Sequence, residues 1–399
     1  MKILITTDWY APTVNGVVTS VLNLRRELIK RGHDVRVLTL SQTTQSYQLS
    51  GVTYIGSIGA GRLYPGARIK SAFSSHLIQD IVQWHPDIIH SQCEFSTFMI
   101  ARRIAKKLDI PIIHTYHTVY EDYTHYFSPS KRWGRRMVAS LSRWIIRQTA
   151  CVIAPTEKVR TLLNNYGVDR DIRVIPTGID LHQFIESPGS DTLLAMKKQL
   201  NIPEKNHVLL FVGRLAKEKN LEELLRYLAR RPVKDLTFLI VGDGPHRDAL
   251  EKITADLSIH DFVRFVGMVS PKHIGDYYHL GGLFVSSSVS ETQGLTYVEA
   301  LASGLSVLCR KDESLNGVVF NGINGWLYES EQDFLDKLDL FFNSSEMQKS
   351  MAEDAARLAR QMYSSAAFAN KVEDVYFDIL QLPKGKFDKN QGGKNHLVG

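Results

Sequence analysis

His207-Val208-Leu209-Leu210-Phe211-Val212-Gly213-Arg214-Leu215-Ala216-Lys217-Glu218-Lys219-Asn220 is an apolar run that stops at a glycine, crosses a basic loop and opens a helix. This is the signature of a strand feeding a helix. It restarts, in the second half of the chain, a theme begun at Lys2–Thr7. Outward from it the theme recurs. Val35–Leu40, Asp87–His90, Pro111–His114, Cys151–Ala154 and Ile172–Pro176 read as strands of a front half. Leu236–Val241, Val263–Val266, Leu283–Ser286 and Ser306–Cys309 do so in a back half. Amphipathic stretches lie between them. In Val17–Arg31 the residues Val18, Val21, Leu22, Leu28 and Ile29 share one face, and Gly32 marks the stop. Strands alternating with helices give parallel βαβ sheets. The expected class is therefore α/β, with two doubly wound Rossmann-like domains facing across a cleft. Such sheets bind ligands beyond the carboxyl ends of their strands.

The seam falls near Thr177–Lys205, which carries Pro176, Gly178, Pro188, Gly189 and Pro203 around it. The expected organisation is residues 1–183 as a first Rossmann-like domain and 184–365 as a second. Residues 366–382 would be a helix returning to the first domain, and 383–399 a mobile tail. At 399 residues the chain is too long for one ordinary core. Its 44% hydrophobic and 23% charged residues exclude wholesale disorder. Three scattered cysteines, Cys93, Cys151 and Cys309, exclude a disulfide scaffold and a cysteine-rich zinc module and point to a reducing cytosol. No apolar run is long enough to span a membrane, and Lys2–Thr7 reads as a strand, not a signal peptide. The net charge of +6 is uneven: residues 1–183 hold 23 Lys/Arg against 13 Asp/Glu, and the remainder is acidic. A basic front half asks for an anionic partner, namely nucleic acid, phospholipid or a phosphorylated substrate.

Three stretches carry chemistry. In Asp8-Trp9-Tyr10-Ala11-Pro12-Thr13-Val14-Asn15-Gly16-Val17-Val18, Gly16 stands where a helix begins. There backbone N–H groups and the helix dipole suit a phosphate; the plain alternative is an ordinary turn. In the opening stretch, Arg214 and Lys219 bracket a loop suited to a diphosphate, or form a merely solvated basic loop. In Ser290-Glu291-Thr292-Gln293-Gly294-Leu295-Thr296-Tyr297-Val298-Glu299-Ala300, Glu291 and Glu299 flank a glycine turn. The N–H groups of Gly294 and Leu295 become anion donors, while the carboxylates accept from sugar hydroxyls. A glycosidase acid–base pair and a dipole-complementing acid plus a surface acid are the other readings.

Together these elements resemble the retaining glycosyltransferases of family 4, which have the GT-B fold. The resemblance runs from Met1 to about Phe377 and implies that residues 1–183 are the acceptor- and membrane-binding domain and 184–365 the nucleotide-sugar-binding domain. The segment His117-Thr118-Val119-Tyr120-Glu121-Asp122-Tyr123-Thr124-His125-Tyr126 is similar to that of bacterial diacylglycerol glucosyltransferases. The resemblance implies that Gly16 contacts the donor phosphate and that Arg214 and Lys219 neutralise the diphosphate. Glu291, Gly294 and Leu295 would hold the sugar, Glu299 the ribose, and His117 would lie beside the transferred hexose. His117, Glu291, Arg214 and Lys219 are the expected catalytic set, and Tyr120, Tyr123 and Tyr126 the acceptor side. No cofactor is required beyond a nucleotide-sugar donor, UDP-glucose. Thr292-Gln293 departs from many relatives and leaves the hexose open.

His114, His117 and His125 are spaced unlike any zinc pattern, so no metal is expected. Asp169-Arg170-Asp171 reads as a turn. Val241-Gly242-Asp243-Gly244-Pro245 lacks the third glycine of a dinucleotide loop, so it reads as a strand-to-helix turn with Pro245 in the first helical turn. No phosphate-binding GxxxxGK[ST] exists, and no nucleic-acid module is recognised.

Lys131, Arg132, Arg135, Arg136, Arg143 and Arg147 gather on one side of a helix, within roughly 160°. Trp133, Met137, Val138, Leu141, Trp144 and Ile145 fill the other, and Ile146 alone lies among the basics. That pattern suits a helix in an anionic membrane interface, an ordinary helix packed on a sheet, or a mixed case with the Trp/Leu face inside and the Arg face on lipid headgroups. Arg62, Tyr64, Arg68 and Lys70, with Leu63 and Phe73, form a candidate second contact loop. The expected enzyme is a peripheral protein of the cytoplasmic membrane face, passing a hexose to a diacylglycerol-type lipid. Its rivals are a family 4 transferase with another acceptor (a glycosylated lipid, a phosphoinositide or a soluble sugar) and a non-catalytic nucleotide-sugar binder.

Overall fold

The computed structural model describes residues 1–13, 15–59, 68–70, 75–117, 130–230, 235–288 and 294–381. The chain divides into two compact units. The first is Met1–Pro155, Val159–Pro176 and Phe368–Gly399; the second is Thr156–Lys158 and Thr177–Ala367.

In the first unit the strands are β1 (Lys2–Thr6), β2 (Asp34–Leu40), β3 (Tyr47–Leu49), β4 (Val52–Ile55), β5 (Ser57–Gly59), β6 (Arg68–Lys70), β7 (Ile88–Ser91), β8 (Ile112–Thr115), β9 (Cys151–Ala154) and β10 (Asp171–Val174). Eight of them form one sheet in the order β10-β9-β8-β7-β1-β2-β4-β3. All neighbours run parallel except β3, which turns back on β4. β5 and β6 make a separate antiparallel pair. The central strands are buried on both faces, as β1 (Ile3, Leu4, Ile5) and β9 (Cys151, Val152, Ile153, Ala154) show. That explains why they read as unbroken apolar runs and not as alternations. Gly16–Lys30 packs Val18, Val21, Leu24 and Leu28 inward. The expected face is corrected at two places: Leu22 and Ile29 lie on the exposed side. The last helix, Ser365–Gln381, buries Phe368, Ala369, Val372, Val375, Tyr376 and Ile379 in the same core as β1 and β2.

The second unit contains β11 (His207–Val212), β12 (Leu236–Val241), β13 (Val263–Gly267), β14 (Leu283–Ser286), β15 (Val307–Arg310) and β16 (Gly325–Tyr328). Their order is β13-β12-β11-β14-β15-β16, all parallel. Counted from β11 this is the 3-2-1-4-5-6 order of a doubly wound sheet. The winding reverses between β11 and β14, which opens a crevice at their carboxyl ends. The first sheet reverses in the same way between β1 and β7. The class is α/β with two Rossmann-like halves.

One small expectation fails. Pro245 stands before the helix, not inside it: Arg247–Asp256 begins two residues later, capped by His246. Gly242 and Gly244 are glycines for packing. A Cβ on Gly242 would come 1.9 Å from the Gly213 carbonyl oxygen, and one on Gly244 2.3 Å from that of Leu215. The loop they serve is the Arg214 loop.

Candidate functional site

In the second unit the reversal point is built from two loops. The first leaves β11 at Gly213 and runs to Asn220. Leu215 and Ala216 are buried and anchor it. The Leu215 N–H donates to the Asp243 carbonyl at 2.9 Å, and the Leu215 carbonyl accepts from His246 N–H at 2.9 Å. Asn220, at φ +52°, closes a short turn of 3₁₀ helix and starts Leu221–Arg230. The second loop leaves β14. Ser287 is fully buried there, and its hydroxyl lies 2.7 Å from the Asn220 carbonyl and 3.2 Å from that of Lys219. One serine thus ties the loop carrying the cations to the loop that leads to Gly294.

Arg214 is exposed and pairs with Glu218. An exposed pair of this kind contributes little, so an incoming phosphate can exchange for the carboxylate. Gly294 caps Leu295–Ala302 in the left-handed region, at φ +70°. A Cβ there would meet the Tyr297 ring at 2.6 Å. Tyr297 is held in turn by its hydroxyl, 2.7 Å from Ser286 Oγ. The helix start therefore presents the N–H groups of its first residues with nothing larger than hydrogen on the preceding residue. Glu299 lies one turn further on. The Tyr278 hydroxyl donates to its Oε2 at 2.7 Å. Burial raises the Glu299 carboxyl to about 7, against the lowering effect of that bond. Glu291 lies outside the described residues.

In the first unit Asn15 Oδ1 accepts from Val18 N–H at 2.9 Å, and Gly16 is the first helical residue. The first turn of that helix carries no acid, so the positive end of its dipole is not offset by its own side chains. Asp8, beyond β1, accepts from Thr97 N–H at 2.8 Å and so ties the first loop to the helix Ser96–Leu108. Burial lifts the Asp8 carboxyl to about 6. Beyond β7, Gln92 N–H donates to the Thr6 carbonyl at 2.8 Å. Its side-chain Oε1 lies 2.7 Å from His117 Nε2. Burial and the nearby His114 lower His117 to about 3. His90 is fully buried between Tyr376 Oη at 2.6 Å and Thr115 Oγ1 at 2.7 Å. His114 lies 3.4 Å from Glu94. Among the described residues no three metal-ligating side chains gather. Tyr120, Tyr123, Tyr126 and His125 lie outside the described residues.

Two family models match the chain: "Glycosyltransferase Family 4" over residues 14–183 and "Glycosyl transferases group 1" over residues 194–358. The chain is also 34% identical to the alpha-monoglucosyldiacylglycerol synthase of Streptococcus pneumoniae over 388 residues. That match covers 95% of this chain and 86% of the relative. The chain belongs to glycosyltransferase family 4. A second relative of the family 4 enzyme, the alpha-monoglucosyldiacylglycerol synthase of Acholeplasma laidlawii, is 28% identical, covering 98% of this chain and 100% of the relative. Among solved structures, Anabaena Alr3699/HepE in complex with UDP superposes with a TM-score of 0.72 at 18% identity. It covers 95% of this chain and 100% of that one. The fold of the family 4 enzyme is GT-B.

The basic helix of this glycosyltransferase runs over Lys131–Ile146, with Arg147 as its cap. Its apolar side is not one face but two. Val138, Ile145 and Ile146 are buried, together with Ser142. Trp133, Met137, Leu141 and Trp144 are 39–64% exposed. The six apolar residues therefore do not act as one side, and Ile146, grouped with the basics in the sequence, is buried. Arg132, Arg135, Arg136 and Arg147 are exposed, while Arg143 turns back to the Tyr166 carbonyl at 2.8 Å. Trp144 packs on Phe98 and under Arg102. Of the second contact loop, Arg62, Leu63, Tyr64 and Phe73 lie outside the described residues. Arg68 spends its guanidinium on the carbonyls of Ser41, Gln42 and Ser57. No helix among the described residues is long and apolar enough to cross a membrane.

Sequence reasoning gave no role to Asp8, Gln92, Tyr278 or Ser287. Each acts on a residue distant in sequence, and only Asp8, at the end of a first strand, carries a positional signal.

Proposed function

We propose that the enzyme transfers glucose from UDP-glucose to a diacylglycerol-type lipid at an anionic membrane surface, with retention at the anomeric carbon. The observation that carries the reading is the near full-length match to two proteins both named alpha-monoglucosyldiacylglycerol synthase. The structure of Alr3699/HepE solved with UDP-glucose agrees with the choice of donor. In this reading Arg214 and Lys219 bind the diphosphate and stabilise the charge that grows on it as the glycosidic bond breaks. Glu291 and the N–H groups of Gly294 and Leu295 hold the sugar, and Glu299 the ribose. Gly16 approaches the donor phosphate, and His117 lies beside the hexose. The departing phosphate oxygen takes the proton of the acceptor hydroxyl. Tyr120, Tyr123 and Tyr126 line the acceptor side. The stripe Trp133, Met137, Leu141 and Trp144 enters the interface while Lys131, Arg132, Arg135 and Arg136 meet lipid phosphates.

The test is transfer of labelled glucose from UDP-glucose to diacylglycerol in vesicles with and without anionic lipid. Labelled lipid that depends on anionic lipid is the expected result. UDP release without labelled lipid would overturn the acceptor. Arg214→Ala is expected to lower kcat/KM by roughly 10²–10³-fold without unfolding the protein.

A further inference from the structure

His117 and Gln92 come from adjacent strands and meet at the carboxyl edge of the first sheet. His117 follows β8 by two residues, and the Tyr116 N–H before it donates to the Ile153 carbonyl at 3.0 Å. Gln92 follows β7 directly and is pinned to β1 through the Thr6 carbonyl. The residue is 98% buried, and among the described residues its Oε1 meets His117 Nε2, at 2.7 Å. Among the described residues its amide nitrogen has no partner. An amide oxygen accepts and cannot donate, so a ring nitrogen that faces it must carry the hydrogen. The other ring nitrogen is then bare, because which nitrogen is protonated follows from the bond its partner makes.

We infer that Gln92 is a positioning residue for glycosyl transfer: it fixes His117 as the Nε2–H tautomer and so presents Nδ1 to the substrate as a hydrogen-bond acceptor. The ring then serves a hydroxyl of the bound sugar as an acceptor and takes no part as a proton donor. The surroundings hold it neutral. Burial, and after it His114 on the strand that leads to it, disfavour a positive charge on the ring. Of the acids in this unit, Asp8 accepts from the Thr97 N–H and Glu94 lies 3.4 Å from His114. The inference rests on the reading that His117 touches the transferred sugar, and the experiment separates the two.

Ring ¹⁵N shifts of His117, assigned by difference with His117→Ala, report the tautomer directly in the intact enzyme. The wild type is expected to show hydrogen on Nε2 and a bare Nδ1. Gln92→Leu should lose that preference and lower kcat by roughly tenfold or more, a loss typical of residues that orient a working side chain, with the donor KM little changed. Gln92→Glu keeps an acceptor at the same place and guards against misfolding of the leucine variant. It should retain the tautomer but add a carboxylate that favours the charged ring. Its activity should therefore fall on acidification at a pH at least one unit above any such fall in the wild type. Hydrogen on Nδ1 in the wild type, with Gln92 turned to donate, overturns the inference. So does an unchanged tautomer or unchanged kcat in Gln92→Leu. Full turnover in His117→Ala would instead sink the reading of His117 itself.

Discussion

Glu299 carries two opposed influences. Burial raises its carboxyl to about 7, and the Tyr278 hydroxyl, by donating to the charged form, keeps it from rising further. A carboxylate that accepts from a ribose diol must be ionised. Donor affinity should therefore weaken as pH falls from 8 to 6, by up to about tenfold, since the ionised fraction drops across that window. Glu299→Gln should show a donor KM that is higher at pH 8 and flat over the same range. Tyr278→Phe should move the wild-type limb to higher pH. A donor KM independent of pH in the wild type would contradict the ribose role. Asp8 is a second buried acid, with a folded pKa of about 6 against an ordinary value of 3.8. Its raised pKa means that the folded state binds the proton more tightly than the unfolded chain. The cost of the charge is full above pH 6 and is relieved as pH falls through 6 towards 3.8. Asp8→Asn keeps an oxygen for Thr97 N–H and removes the charge. Its melting temperature relative to wild type should be most favourable at pH 8 and lose that advantage by pH 4.5, a change on the order of 1–2 kcal/mol. None of these pairs could be read from the chain. Asp8 with Thr97, Gln92 with His117 and Tyr278 with Glu299 are separated by tens of residues, and nothing in local pattern links them.

At the scale of elements, most strands were legible because a strand covered on both faces leaves an unbroken apolar run. The strands not read from the sequence are β3, β4, β5, β6 and β16, and two of them have a plain physical reason. β3 is an exposed edge strand, with Tyr47, Gln48 and Leu49 all open to solvent, so no burial wrote a pattern into it. β16 is four residues that begin with a glycine. The helix Lys131–Ile146 shows the limit of periodicity. Its sequence has one wide apolar sector, yet the sheet takes only the part at Val138, Ser142, Ile145 and Ile146. The remainder stays outside. Replacing Trp133 and Leu141 by serine should therefore leave the melting temperature nearly unchanged and weaken sedimentation with vesicles. Arg135 and Arg136 changed to glutamate should weaken it in a salt-dependent way. A large loss of stability in the serine variant would mean that this stripe packs inside. Gly294→Ala tests the other element end. A left-handed φ and a Cβ at 2.6 Å from Tyr297 should cost on the order of 1–3 kcal/mol and displace the helix start. Donor KM should rise with the loss.

At the scale of the molecule, the two sheets repeat one plan, a central strand with winding that reverses beside it; Gly16 follows the central strand β1 in the first, and Arg214 and Lys219 follow β11 in the second. The alternation of runs and helices made this plan legible. The assignment of the final helix was legible only as an expectation, because nothing in Ser365–Gln381 names its partner. In the structure the partner is the first unit: Phe368, Val372 and Tyr376 join its core, and Glu373 meets Arg31 and His33. A chain leaving the ribosome therefore releases the whole second unit before the first possesses its last core helix. The later-made sheet is contiguous and can close at once. The earlier-made one must wait, with part of its core open to whatever chaperones attend synthesis. Protease protection of stalled nascent chains should consequently appear in the second unit at shorter chain lengths than in the first.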